Sequence, residues 1–589
     1  MKQFFKYVLA TMTGLLFAFI LSVILLIVIC MGIVGASSKE KTFKVKANSL
    51  LHLKFTSPIP ERTPTNPFKD FNFSSFSGNK EVGLNDILEN IKKAETDADI
   101  KGIYMDMSSV PAGVATIEEI RNALIAFKSS GKFILSYSEG YTQGAYYLSS
   151  VADKIYLNPQ GNMDWKGLSA QIMFFKGALE KLEITAQIFR HGKFKSAIEP
   201  FDLDKMSKAN RLQTMSYVGA IWNHILEGIS KSRGITVEEL NRMADELALR
   251  TPEDAVQFKL VDGLKYKDEI IAELKSKLGL AEKDKLNTVE MDEYVRTPNK
   301  EKKKGKDKIA IIYAVGTIQG GEGDEETIGS ERISKALREA RLDSTVKAIV
   351  FRVNSPGGSA LASDVIWREA MLAEKVKPFI VSMGDVAASG GYYISCAADV
   401  IVAQPNTITG SIGVFGLLPN AQKFFNNKLG ITIDTANTNK HSDMGNIFRP
   451  VSPVEGKFVQ QSVEHIYDIF IGKVADGRKK SKADIDSIGQ GRVWSGVDAK
   501  KIGLVDELGG IKEAVKIAAA RAKLDKYKIV ELPKQKDFLE SLMKEISEDA
   551  ETKVLKRELG INFEYYKHFK EMTSMEGVQA RMGYDVVLY

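Results

Sequence analysis

From residue 7 to residue 36 the chain carries no charge and is dominated by Leu, Ile, Val, Phe and Ala. About twenty apolar residues span a bilayer's hydrocarbon core, whereas a cleaved signal peptide has an apolar region of roughly 7–15. The run predicts one transmembrane helix, with residues 1–46 as an uncleaved N-terminal membrane anchor. The rival reading uses Val34-Gly35-Ala36 as a small-residue cleavage site. Lys2 and Lys6 precede the run and favour a cytoplasmic amino end, an asymmetry weakened by Lys39, Lys41, Lys44 and Lys46. No second long apolar run follows, so the remainder reads as one soluble body on one side of a membrane.

Beyond the anchor the pattern changes. Short apolar runs rich in β-branched residues, such as 309–315 and 348–353, alternate with helical spacing such as 331–341. Strands alternating with helices imply βαβ units and a largely parallel sheet, hence an α/β protein. The pattern also repeats. DIKGIYMDMSS (99–109) faces TVKAIVFRVNS (345–355), and SYSEGYTQGAYYLSSVADKI (136–155) faces SMGDVAASGGYYISCAADVI (382–401), both offset by 246. KLEIT (181–185) and KLGIT (428–432), then FKLVDGL (258–264) and IGLVDEL (502–508), continue the series at nearly the same spacing. The chain is a tandem duplication. Its expected parts are a first copy over 47–295, a charged linker over 296–308, a second copy over 309–533, and a charged, helix-patterned extension over 534–589.

Composition adds limits. A chain of 589 residues is too long for one hydrophobic core, and 44% hydrophobic with 26% charged residues is ordinary for a folded protein. The net charge of +6 is small, and Lys300 to Lys308 (KEKKKGKDK) concentrates positive charge in the linker without interleaved aromatics. That is a solvated segment rather than a nucleic-acid surface. Cys30 and Cys396 lie far apart without CxxC spacing, so neither a disulfide framework nor a zinc site is expected. With no clustered His/Cys/Asp set and no phosphate loop, no metal or cofactor is expected either.

The chemistry lies where the copies differ. The second has Asn354-Ser-Pro-Gly-Gly-Ser359 at the end of an apolar strand; the first has Ser108-Ser-Val-Pro-Ala-Gly113. A Pro-Gly-Gly turn leaves backbone amides unobstructed for a carbonyl oxygen gaining charge, although alone it also reads as an ordinary βα turn. Ser389 sits in Ala387-Ala-Ser-Gly-Gly391 and is matched in the first copy by Gln143, which cannot be a nucleophile. It reads as a nucleophile at a helix N-terminus, or as a helix N-cap. A serine nucleophile needs a base. His441, with Asp443 nearby, is the one histidine of the second copy in a plausible loop, and no motif supports it. Lys195, among the apolar neighbours of HGKFKSAIEP (191–200), serves instead if desolvation brings its pKa towards neutrality. Its repeat counterpart falls near Ser442, so the lysine survives only in the first copy and the serine only in the second.

Together NSPGGS, GDVAASGGYYISCAAD, TGSIGVFG and GKFKSAIEPF resemble the long, duplicated form of the signal peptide peptidase A, or protease IV, family (peptidase family S49), from the anchor to about residue 530. The resemblance implies two ClpP/crotonase-like copies. It implies Ser389 as nucleophile, Lys195 as general base, Ser411 of TGSIG as the residue orienting the lysine amine, and Gly358 and Gly390 as oxyanion amides. It further implies a membrane-anchored serine endopeptidase that degrades signal peptides and other apolar peptides left in the bilayer. Such an enzyme forms a homotetramer in the bacterial inner membrane, with its catalytic body on the periplasmic side. Ala-Ile replaces Ala-Val inside the lysine motif. The rival functions are a non-catalytic membrane-anchored scaffold and a crotonase-type acyl-CoA enzyme, which would need no nucleophile.

Overall fold

The computed structural model describes residues 2–37, 43–64, 81–298, 305–535 and 578–582; within 2–37, side chains are described for 3–4, 6–22 and 25. The first half contributes β1 (Ser49–Leu53), β2 (Ile100–Asp106), β3 (Phe133–Tyr141), β4 (Lys154–Met163), β5 (Thr185–Arg190), β6 (Gly263–Leu264) and β7 (Thr288–Glu290). The second contributes β8 (Lys308–Val315), β9 (Thr317–Gln319), β10 (Thr327–Gly329), β11 (Val346–Ser355), β12 (Gly357–Ser359), β13 (Phe379–Ala388) and β14 (Val400–Ala403). It continues with β15 (Ile408–Gly410), β16 (Phe415–Asn420), β17 (Val493–Ser495), β18 (Glu507–Leu508), β19 (Lys528–Leu532) and β20 (Gln579–Arg581).

The first-half sheet runs β6-β4-β3-β2-β1-β7 with every pair parallel. The second runs β17-β15-β13-β11-β8-β19, with β14 beside β13 and β18 beside β14; only β15 and β17 are antiparallel. The duplication is plain in the starts of β2 and β11 (100 and 346), β3 and β13 (133 and 379), and β4 and β14 (154 and 400). β2 and β11 are buried almost throughout, Lys101 and Lys347 excepted. Continuous apolar runs of this kind belong to parallel strands covered on both faces, here by helices such as Val114–Phe127 and Ala360–Glu374.

The copies are not independent bodies. One hydrophobic cluster holds Leu51, Ile103 and Ile155 of the first together with Ile311, Val350 and Ile380 of the second. At the same seam Arg352, fully buried, bonds Glu61 (Nε to Oε2, 2.9 Å) and pairs with Glu119 (Nη2 to Oε1, 2.7 Å). Asp385 accepts from the amide and hydroxyl of Thr116 (2.9 and 2.7 Å), pinning the start of a first-copy helix to β13. A third, small sheet, β10-β9-β12-β20-β16-β5, joins strands of both halves.

The helix Lys2–Ser37 occupies the place expected for the anchor and exposes Phe4, Tyr7, Leu9, Leu15, Phe17 and Leu21. The expected membrane span is nevertheless not recovered: among the described residues no helix is long and apolar enough to cross a membrane. Of the expected linker, residues 299–304 lie outside the described residues, and β8 already begins at Lys308. Of the extension expected to be helical, 536–577 and 583–589 lie outside the described residues, while 579–581 form a strand. Periodicity could not foresee that strand, because its partners β12 and β16 lie far away in sequence.

Candidate active site

β13 ends at Ala388 and the helix Gly390–Ser395 starts two residues later, leaving Ser389 as the corner between them. Ser389 adopts φ 56° and ψ −113°, a backbone conformation that L residues avoid at a cost of about 1–3 kcal/mol. The corner is held from outside, since Ser389 N donates to Gly410 O (2.8 Å). Small neighbours permit it: a Cβ on Gly390 would lie 2.7 Å from Ser363 Oγ, and one on Gly391 2.7 Å from Ser355 O. The hydroxyl of Ser389 is thereby turned out of the strand and off the helix it precedes; no bond from it caps that helix.

Lys195 arrives from the other copy. β5 pairs antiparallel with β16 over six residues, Thr185–Arg190 against Phe415–Asn420, and carries the chain into the segment that bears the lysine. Phe194 N then donates to Gln490 O (3.0 Å), and a short 3₁₀ turn, Ser196–Ile198, follows. Lys195 is 1% exposed, Ser389 0% and Ser411 2%, so the three polar groups share a dry site. Lys195 Nζ lies 2.8 Å from Ser389 Oγ, 3.2 Å from Ser411 Oγ and 3.3 Å from the Ser411 carbonyl. Burial lowers the lysine pKa to about 7. A neutral amine has two N–H bonds and one lone pair. In the neutral amine, N–H groups placed on the two Ser411 oxygens would leave the lone pair for Ser389 Oγ, the direction proton abstraction needs.

The two candidate oxyanion glycines adjoin the same corner. Gly357 (φ +100°) and Gly358 (φ +157°) follow Pro356 in conformations few side chains tolerate, and a Cβ on Gly357 would lie 2.7 Å from Gly390 N. β20 lies antiparallel to both β12 and β16, in the gap between them. Met582 N donates to Pro356 O (2.7 Å) and Ala360 N to Val578 O (3.3 Å), bracketing the Gly358–Ala580 pair. Bonded pairs alternate along an antiparallel ladder, so Gly358 N–H also donates to Ala580 O. That oxygen would lie 2.9 Å from a Cβ on Gly390. A peptide carbonyl from the chain's own carboxyl end therefore sits against both glycines.

The first copy has no serine at the matching corner. Gln143 stands at the corner matching Ser389 and ties down the next loop, accepting from Lys166 N and Gly167 N (both 2.9 Å) and donating to Gly167 O (2.9 Å). His441 does not join the site; its Nδ1 lies 2.9 Å from Glu455, and its neighbour Asp443 is bonded to Arg449. Ser442 lies in an exposed turn bonded to Asn439. Sequence reasoning passed over three features. They are the Gly413 carbonyl, 3.3 Å from Ser389 Oγ; the β20 strand; and Gln213, bonded on either side of Lys195. Gly413 falls within the TGSIG run itself. Gln213 shows as a polar residue in the buried stripe of Tyr217, Ile221 and Ile225.

A family model described as peptidase family S49 matches residues 126–281 and 371–525, one match in each copy. "Protease 4" of Haemophilus influenzae is 38% identical over 447 residues, covering 74% of this chain and 72% of that protein. "Serine protease SPPA, chloroplastic" of Arabidopsis thaliana is 34% identical over 514 residues, covering 86% and 74%. Among solved structures, a ClpP1 point mutant from Listeria monocytogenes is similar over 35% of this chain and 94% of its own, at 16% identity. The TM-score is 0.24.

Proposed function

The chain belongs to peptidase family S49 and is a serine protease, and from that premise we propose that it cuts peptides with a Ser/Lys dyad. Ser389 Oγ attacks the scissile carbonyl while neutral Lys195 takes its proton. The amine then protonates the leaving nitrogen, and water hydrolyses the acyl-Ser389 by the same base. Ser411 orients the amine, and the amides of Gly358 and Gly390 receive the oxyanion. The observation that carries this reading is the 2.8 Å approach of a desolvated lysine to a serine on a strained corner.

The substrates proposed are extended apolar peptides, signal peptides left in a bilayer among them. β20 supports an extended mode of binding, since a strand of the chain already lies between β12 and β16 with a carbonyl against the two glycines. Residues 7–36 are proposed as a single-pass anchor in the bacterial inner membrane, with the body on the periplasmic side. That reading rests on their uncharged sequence and on the exposed apolar side chains of the first helix. Assembly as a homotetramer is proposed from the family resemblance alone.

The test is hydrolysis of a short apolar peptide, read beside fluorophosphonate labelling. Ser389→Ala abolishes labelling and lowers kcat/KM by about 10³-fold or more. Lys195→Arg is nearly as damaging as Lys195→Ala, because a guanidinium keeps its proton. Labelling that persists in Ser389→Ala, or an active Lys195→Arg, removes the dyad. Deleting residues 1–46 moves activity from the membrane to the soluble fraction; activity that stays with the membrane rejects the anchor.

A further inference from the structure

We infer that Gln213 is a positioning residue for the reaction, locking the Lys195 segment and the Ser411 loop into one frame so that the amine keeps its place beside Ser389. The inference rests on the Ser389–Lys195 reading above. Gln213 lies in the second turn of the helix Lys208–Arg233 and is fully buried. Its Nε2 donates to the Phe194 carbonyl (3.1 Å) and to Ser196 Oγ (2.8 Å), the residues on either side of Lys195, and lies 3.3 Å from Asn210 Oδ1. Its Oε1 accepts from Val493 N (3.1 Å). One first-copy amide thus grips both flanks of the lysine and, in the same group, a strand of the second copy.

The turn that leads into that strand, residues 490–492, is the rail between the two loops. Gln490 O accepts from Phe194 N (3.0 Å), Gly491 N donates to Ile412 O (2.7 Å), and Arg492 O accepts from Ser411 N (2.7 Å). The lysine stem is walled by backbone: a Cβ on Gly491 would lie 2.6 Å from Lys195 Cα, and one on Gly413 3.3 Å from Lys195 Cδ. The start of the helix is rooted in the same segment, since Glu199 accepts from Ser207 N (3.0 Å), Ser207 Oγ (2.6 Å) and Asn210 Nδ2 (2.9 Å). Packing alone would favour an apolar residue at 213, beside Tyr217 and Val218; a buried amide is unfavourable unless bonded. What the amide adds is a fixed relation between two loops that come from different copies.

The charged groups around this clamp are few. Lys193 and Arg492 lie over the Phe194 ring at 5.1 and 5.2 Å, and Asp498 acts on Arg492. Glu199 is bonded as described, and His191 stacks on Tyr467, which is bonded to Asp486. The lysine pKa is set by burial, so loosening the frame acts on it by admitting water.

The experiment measures kcat, KM and the rate of fluorophosphonate labelling against pH in the full chain, in Gln213→Met and in Ser196→Ala. Methionine keeps the side chain's length and removes the amide's bonds to Phe194, Ser196 and Val493; Ser196→Ala removes one of them. In Gln213→Met, kcat falls at least about 10-fold at pH 7, and KM stays within roughly twofold. The rising limb moves up by about one pH unit, so that part of the activity returns at high pH. Ser196→Ala moves the limb the same way by less. An unmoved midpoint, with or without lost activity, overturns the inference; if Gln213→Met does not fold, the midpoint of Ser196→Ala decides. Lys195→Ala run alongside separates the two readings. Activity surviving there sinks the dyad, whereas a dead Lys195→Ala with an unmoved Gln213→Met sinks only the clamp.

Discussion

Lys195 is the residue on which pH acts twice. Its native pKa is lowered to about 7 by burial, against about 10.4 in an unfolded chain. Below pH 7 the amine is protonated in both states, and a buried charge costs the native state stability in full. Between 7 and 10.4 the unfolded chain binds a proton that the native state does not, so stability rises with pH across that window. A tenfold change in proton affinity corresponds to about 1.4 kcal/mol. Lys195→Met is therefore expected to unfold at a higher temperature than the parent at pH 6, with the gain shrinking towards pH 10.5. Thermal unfolding across that range checks it; a gain independent of pH contradicts the buried amine. On the dyad proposed above, activity is expected to rise with pH through a midpoint near 7 as the amine loses its proton, read from kcat against pH.

At the scale of elements, the site is a meeting of strand ends. β13 delivers Ser389, β12 presents Gly358, β15 leads into Ser411 and β5 leads towards Lys195. β20 fills the remaining space, and Ala580, paired with Gly358, is its central residue. Proline at 580 removes the N–H that pairs with Gly358 O and is poorly tolerated inside a ladder. If β20 stands where a peptide substrate would lie, Ala580→Pro lowers KM for a short apolar peptide several-fold and leaves the unfolding temperature nearly unchanged. Loss of both activity and stability would instead make the strand a fixed wall of the site. Steady-state kinetics and thermal unfolding on the same preparation distinguish the two.

At the scale of the molecule, the copies depend on each other through a buried charge cluster as well as a shared core. Arg352 on β11 is bonded to Glu61, Ser382 and the Met383 carbonyl and paired with Glu119, so its charge is matched only while both copies are docked. Removing one partner of such a group leaves others buried without compensation, at about 3–5 kcal/mol. Arg352→Met is expected to lower stability by that amount, read as a shift in the denaturant midpoint. Activity should be lost along with docking, since Lys195 and Ser389 lie on opposite sides of the seam. An unfolding midpoint equal to the parent's would show that the cluster contributes nothing net.

Much of this was legible in the chain. Runs such as IKGIYMD and VKAIVFRVNS specify buried parallel strands because their apolar residues are continuous, and the offset of 246 specifies two like sheets. The divergence between copies singled out Ser389 and Lys195, which the fold brings within 2.8 Å of each other. Local pattern fails where partners are distant. Nothing near residue 580 announces a strand, because a strand of three residues gains its hydrogen bonds from β12 and β16, more than 150 positions earlier. Nor does sequence spacing state that Lys195 lies 2.8 Å from Ser389, across 194 residues. The residue types were present in the chain; their desolvation, and with it the lysine's pKa, exists only once the two copies close on each other and exclude water.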